Sequence, residues 1–157
     1  MDNYLVLKYI HILCAIVLSG TGAGIAFFML MASRSKNISV IAHTARFVVL
    51  ADWIFTTPAV IGQLITGVLL MQRLQYSFSA PWFMCVASLF VFIGCCWVPV
   101  VFIQYRLNRL AKDAEKTGVL SEEFYRAMKY WIALGIPAFC GILFMLWLMI
   151  FKPLAII

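Results

Sequence analysis

Acidic side chains are scarce in this sequence: six aspartates and glutamates stand against twelve lysines and arginines in 157 residues. Charged residues of both signs make up only 11%, where an ordinary soluble domain carries about a quarter. Too little charge is present to solvate the surface of a water-soluble fold. Catalytic signatures are missing as well. There is no H-E-x-x-H, no G-x-S-x-G, no phosphate-binding glycine loop and no pair of neighbouring carboxylates inside an apolar segment, so hydrolase and kinase chemistry lack their usual residues. The five cysteines have no C-x-x-C or zinc-ligand spacing. Cys14, Cys85, Cys95, Cys96 and Cys140 all fall in apolar stretches, where a free thiol packs as a small hydrophobe.

What is present is apolar: 65% hydrophobic residues and a mean hydropathy of +1.02. A bilayer-spanning helix needs roughly 20 consecutive apolar residues. Four stretches meet that length, Tyr4–Ala32, Val40–Met71, Pro81–Tyr105 and Tyr125–Phe151. The expected fold is an all-α, integral membrane four-helix bundle, one domain over residues 1–157. The first apolar run is too long for a cleaved signal peptide, with no A-x-A-like site and polar continuation behind it, and is expected to be retained.

Basic residues cluster in the first and third connections: Arg34, Lys36 and Arg46, then Arg106, Arg109, Lys112, Lys116, Arg126 and Lys129. The opposite side carries only Lys8, Arg73 and Lys152. Positive loops stay cytoplasmic, so both termini are expected outside. The net charge of +6 is then a topology signal, and no folded basic surface for nucleic acid is offered. In the third connection, NRLAKDAEKTGVLSEEF, Gly118 predicts a turn. Ser121 followed by Glu122 and Glu123 predicts a capped helix start with acids in its first turn.

Helices two, three and four each contain an interior proline, Pro58, Pro99 and Pro137. Proline removes a backbone donor and kinks a helix, and three kinks can open a central cavity or serve packing alone. In helix one, SGTGAG places Gly20 and Gly24 in G-x-x-x-G spacing, a pattern that lets another helix approach closely.

Asp52 is the one acid inside a long apolar run. Counted from the start of that run it lies roughly 15 Å in, where ionisable groups usually face the bundle interior and mark function. Steps of three or four residues from Asp52 reach Thr56, Ala59, Gln63 and Thr66, a polar stripe on one helix face. His11 lies about three turns into helix one, level with Gln63 if the helices are antiparallel. His43 sits at the other end beside Arg46, so the two histidines are too far apart to share one haem or metal. Lys8 lies one turn outward of His11, and Ala15 and Gly22 continue that face with small side chains, a groove suited to a flat ligand or to helix packing.

Several segments resemble known families. LKYIHI (7–12) is similar to the K-x-x-H opening of the membrane-bound protoporphyrinogen oxidases of the HemJ type. TTPAVIGQLITGVLL (56–70) resembles their second helix, Pro137 their last helix, and Lys152–Pro153 their ending. Copper-resistance proteins of the CopD type share that broad architecture. Over nearly its whole length, with VLADWIFTTPA and GIPAF as marks, the chain resembles a domain-of-unknown-function (DUF) family of predicted four-span bacterial integral membrane proteins. The HemJ-type resemblance implies a bundle in the bacterial inner (cytoplasmic) membrane that binds haem b, with His11 as axial ligand. Two features of that family are absent: a lysine near the start of helix three, which here reads PWFMCVASL, and an acid before Pro137, where Gly135 and Ile136 stand.

The leading expectation is a haem b protein with possible oxidoreductase activity on a porphyrin or quinol. His11 is the metal ligand, with Lys8, Gly22 and Met84 around the cofactor, and Met84 is a candidate second ligand. Asp52, Thr56 and Gln63 form the proton or hydrogen-bond path. Two alternatives come from other classes: an accessory or scaffold subunit, packing as a homodimer or on another membrane protein, and a small solute or copper transporter.

Overall fold

A computed structural model describes residues 3–152; Pro153, named above, lies outside them. Every regular element described is helical: α1 (Asn3–Ser35), α2 (Ile38–Ala51), a π-helical turn (Asp52–Thr56), α3 (Thr57–Arg73), α4 (Pro81–Thr117) and α5 (Glu122–Phe151). The α2, π and α3 segments run on without a break, so four apolar helices are long enough to cross a membrane. Their outward faces carry large side chains such as Phe28 (64% exposed), Phe102 (70%) and Ile150 (74%). Such surfaces suit hydrocarbon, and helices suit it too because they satisfy their own backbone groups.

The connections follow their local chemistry. Gly118 takes the left-handed conformation (φ 75°) and its N–H returns to the Ala114 carbonyl at 2.8 Å, a C-terminal stop that glycine accepts without a Cβ clash. Three residues on, Ser121 accepts from the Phe124 N–H. Across this hairpin Arg106 pairs with Glu123, and the guanidinium bond holds the Glu123 carboxyl below its ordinary range. At the other end Lys152 lies over the rings of Tyr76 (4.6 Å) and Trp82 (5.2 Å), tying the end of α5 to the connection between α3 and α4.

The larger buried cluster sits toward the basic end. It joins Met29 of α1, Ile41 and Ala45 of α2, Leu107 and Ala111 of α4, and Phe124 and Trp131 of α5. A smaller one at the opposite end joins Met71, Trp82, Val86, Met145 and Leu148. The α2 face buries Ala42 and Ala45 and the α4 face Ala111 and Ala114, and small residues let helix axes close up in a medium that gives no hydrophobic drive for association.

Two readings left open by the sequence narrow here. Gly20 and Gly24 contact nothing within 4 Å of where a Cβ would stand, so the G-x-x-x-G pair does not mediate packing within the chain. The close approaches are at Gly62, Gly67 and Gly141 instead, which face neighbouring helices while Gly20 faces outward. Nor do three prolines produce a roomy centre. Pro99 and Pro137 lie within unbroken helices, and the interior space beside Gln104, lined by Met29, Ala45, Val48, Leu107 and Trp131, admits no water molecule.

A Cβ on Gly141 would stand 2.9 Å from Ile93 Cγ1 and 3.2 Å from its Cδ1, with Leu89 behind. Gly141→Val is therefore expected to destabilise the protein by about 1–3 kcal/mol through overpacking. Ile93→Ala in the same chain should recover part of that loss. Thermal unfolding in detergent reads both, and an additive loss in the double variant would show that this contact is not the cause.

Candidate functional site

The π turn is built around a proline. In an α-helix the Pro58 ring meets the carbonyl four residues back and leaves it without a donor. Here the Thr57 N–H reaches the Asp52 carbonyl, five residues back, and the widened turn gives the ring room. Turns of this kind recur at functional sites. Trp53, Ile54 and Phe55 face outward from it, all more than half exposed, while Asp52 (5%) and Thr56 (6%) face the interior. The residues expected to share one face, Asp52, Thr56, Ala59, Gln63 and Thr66, are all buried.

Around Asp52 stand Thr56 and, from α4, Trp97 and Gln104, all within reach of its carboxyl. None completes a hydrogen bond of good geometry. Asp52 Oδ2, Thr56 Oγ1, Trp97 Nε1 and Gln104 Oε1 are buried without partners, and no charged side chain faces the carboxylate among the described residues. A buried polar atom without a partner costs about 1–3 kcal/mol, so this concentration of them departs from simple packing.

Asp52 also lies nearer the basic end than a count from Val40 implies. Its neighbour Gln104 closes the apolar run of α4, with Tyr105 and Arg106 next, and Trp53 donates to the Tyr105 hydroxyl. The first turns of α2, with His43 and Arg46, belong to the polar end, which moves the origin of that count inward.

The second group lies between α1 and α3, where the expected level of His11 and Gln63 is realised as direct contact. Thr66 Oγ1 donates to the Gly62 carbonyl at 2.5 Å, so it accepts from His11 Nδ1 at 2.8 Å. The Gln63 amide nitrogen lies 2.9 Å from His11 Nε2 and donates to it. This set of donors is self-consistent with one form of His11, neutral with its proton on Nδ1. Gln63 Oε1 is buried without a partner. A Cβ on Gly67 would come within 3.4 Å of the imidazole Cε1, so glycine lets the ring lie on the α3 backbone.

The remaining expected site residues do not join either group. Lys8 is exposed, with its ammonium 5.9 Å from the Tyr4 ring. Gly22 faces Phe139 of α5, and Met84 is 54% exposed on the outside of α4. A small notch of about 270 Å³ opens one turn beyond His11, lined by Asn3, Leu7, Leu69, Gln72 and Arg73. Among the described residues no three His, Cys, Asp or Glu side chains converge. Sequence reasoning missed Trp97, Gln104 and Asn108. Two amides one turn apart on α4, Gln104 and Asn108, were the available signal, hidden because they adjoin the basic hairpin and read as its first polar residues.

The His11 arrangement has a spectroscopic consequence. Nitrogen NMR of histidine-labelled protein, with His43→Gln to assign the signals, should find His11 neutral and protonated at Nδ1. Thr66→Val should remove that preference and cost about 1–3 kcal/mol of stability; an Nε2-protonated ring in the unaltered protein would refute the assignment.

Residues 5–153 match the family described as "Predicted integral membrane protein (DUF2269)". No curated protein and no solved structure matches the chain. With four long apolar helices and a family match running nearly end to end, the chain belongs to the DUF2269 family of predicted integral membrane proteins.

Proposed function

We propose that this is a proton-coupled membrane protein in which Asp52 binds and releases the proton. One observation carries the reading. A carboxyl more than nine-tenths buried, set in a π turn, has an unpartnered oxygen and no basic side chain to neutralise it. An ionisable group in a spanning helix is costly, and those retained commonly mark proton or substrate paths. Thr56, Trp97 and Gln104 surround it with groups able to donate to the carboxylate or, in the case of the hydroxyl and the amide oxygen, to accept from the acid.

The experiment is a difference infrared spectrum of the purified protein between acidic and alkaline pH. A carboxyl band that changes with pH in the unaltered protein and is lost in Asp52→Asn is the expected result. No Asp52-dependent band at any pH would sink the reading and leave a packing role.

A haem b oxidoreductase acting on a porphyrin or quinol is the specific form that the HemJ-type resemblance implies, and His11 supports it in one respect. Its Nδ1 is held by Thr66, and Thr66 by the Gly62 carbonyl, the kind of outer support that orients an imidazole to ligate through Nε2. Haem bound there would supply one-electron chemistry. The chain's own part is to present Nε2, from which Gln63 must withdraw; Met84, facing outward, is not placed to be the second ligand. The notch beyond His11 is smaller than the roughly 300–1,000 Å³ of ordinary ligand pockets. In protein expressed with haem supplied, a Soret band that disappears in His11→Ala is expected. A colourless preparation would overturn haem binding without touching the proton reading. Copper handling has less support, since Cys85, Cys95 and Cys140 are exposed on lipid-facing surfaces.

A further inference from the structure

We infer that Asp52 exchanges its proton with water at the basic end of the bundle along a polar file on α4, with Gln104 as the gate and Asn108 as the next station. The inference rests on the proton-binding reading of Asp52 and adds the route, the side and the gating residue.

The route follows from what stands on either side of Asp52. Toward the basic end, Gln104 is 3% exposed with its Oε1 unpartnered. Asn108, one turn along the same face, also has a buried and unpartnered Oδ1. Lys112, one turn further, is exposed. Each step is about 6 Å along the helix, a span that one water molecule or one amide side chain can bridge. Toward the opposite end the stripe is interrupted. From Thr56 the next buried polar residue along α3 is Gln63, about 10 Å along the helix, and the buried residue between them is Ala59. Hydrogen bonds reach about 3 Å, and a methyl group relays nothing. Along the α3 face Asp52 is thus separated from His11, while α4 offers polar groups toward the basic end.

The gate follows from packing. Gln104 lines a space with Met29, Ala45, Val48, Leu107 and Trp131 that admits no water. None of those neighbours titrates, and the polar groups at Asp52 itself are Thr56 on its own helix and Trp97 and Gln104 on α4. Water beside Gln104 therefore needs that side chain to move, and this makes Gln104 the gate of the inferred route. The ligand that fits this packing is a proton, since a hydrated cation would need room that is absent. On release the carboxyl O–H bond breaks, its electron pair stays on the carboxylate, and the proton leaves on water at the Lys112 end. Uptake is the reverse. Gln104 and Asn108 position that water and are not themselves protonated.

The test follows the Asp52 carboxyl band, assigned through Asp52→Asn, after transfer of the full chain in lipid nanodiscs from H₂O to D₂O. Gln104→Leu, which keeps bulk but loses the amide, should slow the exchange at least tenfold. Gln104→Ala, which opens the space to water, should speed it. Asn108→Leu, further from the core, should also slow it and serves if a Gln104 variant does not fold. Exchange slowed by Gln63→Leu and indifferent to Gln104 and Asn108 would overturn the route while leaving Asp52 as the proton site. The absence of any Asp52-dependent band in the unaltered protein would overturn the underlying reading and this one together.

Discussion

Lipid offers no hydrogen bonds, and most of this structure is a response to that constraint. Backbone groups are satisfied by running the apolar chain as four long helices, with the turns confined to polar ends where Gly118 and Ser121 provide conventional stops. Within the spans, any group that breaks the helical ladder must be compensated locally. Pro58 is such a group, and the π turn beside it is the compensation. Because both residues belong to that turn, it fixes where Asp52 and Thr56 stand and what α4 can bring to them.

The same constraint separates two kinds of buried polarity. His11, Gln63, Thr66 and the Gly62 carbonyl form a chain in which both imidazole nitrogens are satisfied. That chain cross-links α1 to α3, where hydrophobic burial contributes little to helix association. Around Asp52 the polar atoms are gathered but unpaired. Only Gln63 Oε1 is left over in the first group, against four atoms around Asp52, and a network left so largely unsatisfied carries the larger standing cost. Such a cost is tolerable when the groups exchange partners during function. The two neighbourhoods share one face of one helix yet are kept apart by the layer at Ala59.

Close packing supports this division from the flanks. Small residues on α2 and α4 draw the helices together at the basic end, where the larger core lies, and that core encloses Gln104. Glycines serve at the opposite end, with Gly67 beneath His11 and Gly62 beside Cys14. Gly20, exposed, and Gly24, half-buried, meet no neighbour within the chain.

Composition and run length alone determined the membrane setting, the four spans, the capped hairpin at Gly118 and Ser121, and the polar face from Asp52 to Thr66. Each of these depends on residues close in sequence: hydropathy sums over a span, a cap is read within three residues, and helical periodicity places neighbours three and four apart. The level of His11 with Gln63 was also legible, because antiparallel helices of similar length fix relative depth. What only tertiary structure decided depends on which helix faces which. It set Gln104 and Trp97 beside Asp52, left Gly20 and Gly24 without a neighbour inside the chain, set Gly22 against Phe139 and turned Met84 outward. It also chose a π turn over a simple kink at Pro58. Rotation of one helix about its axis leaves its own pattern unchanged while exchanging every partner, so side-chain packing between helices was needed to settle the site.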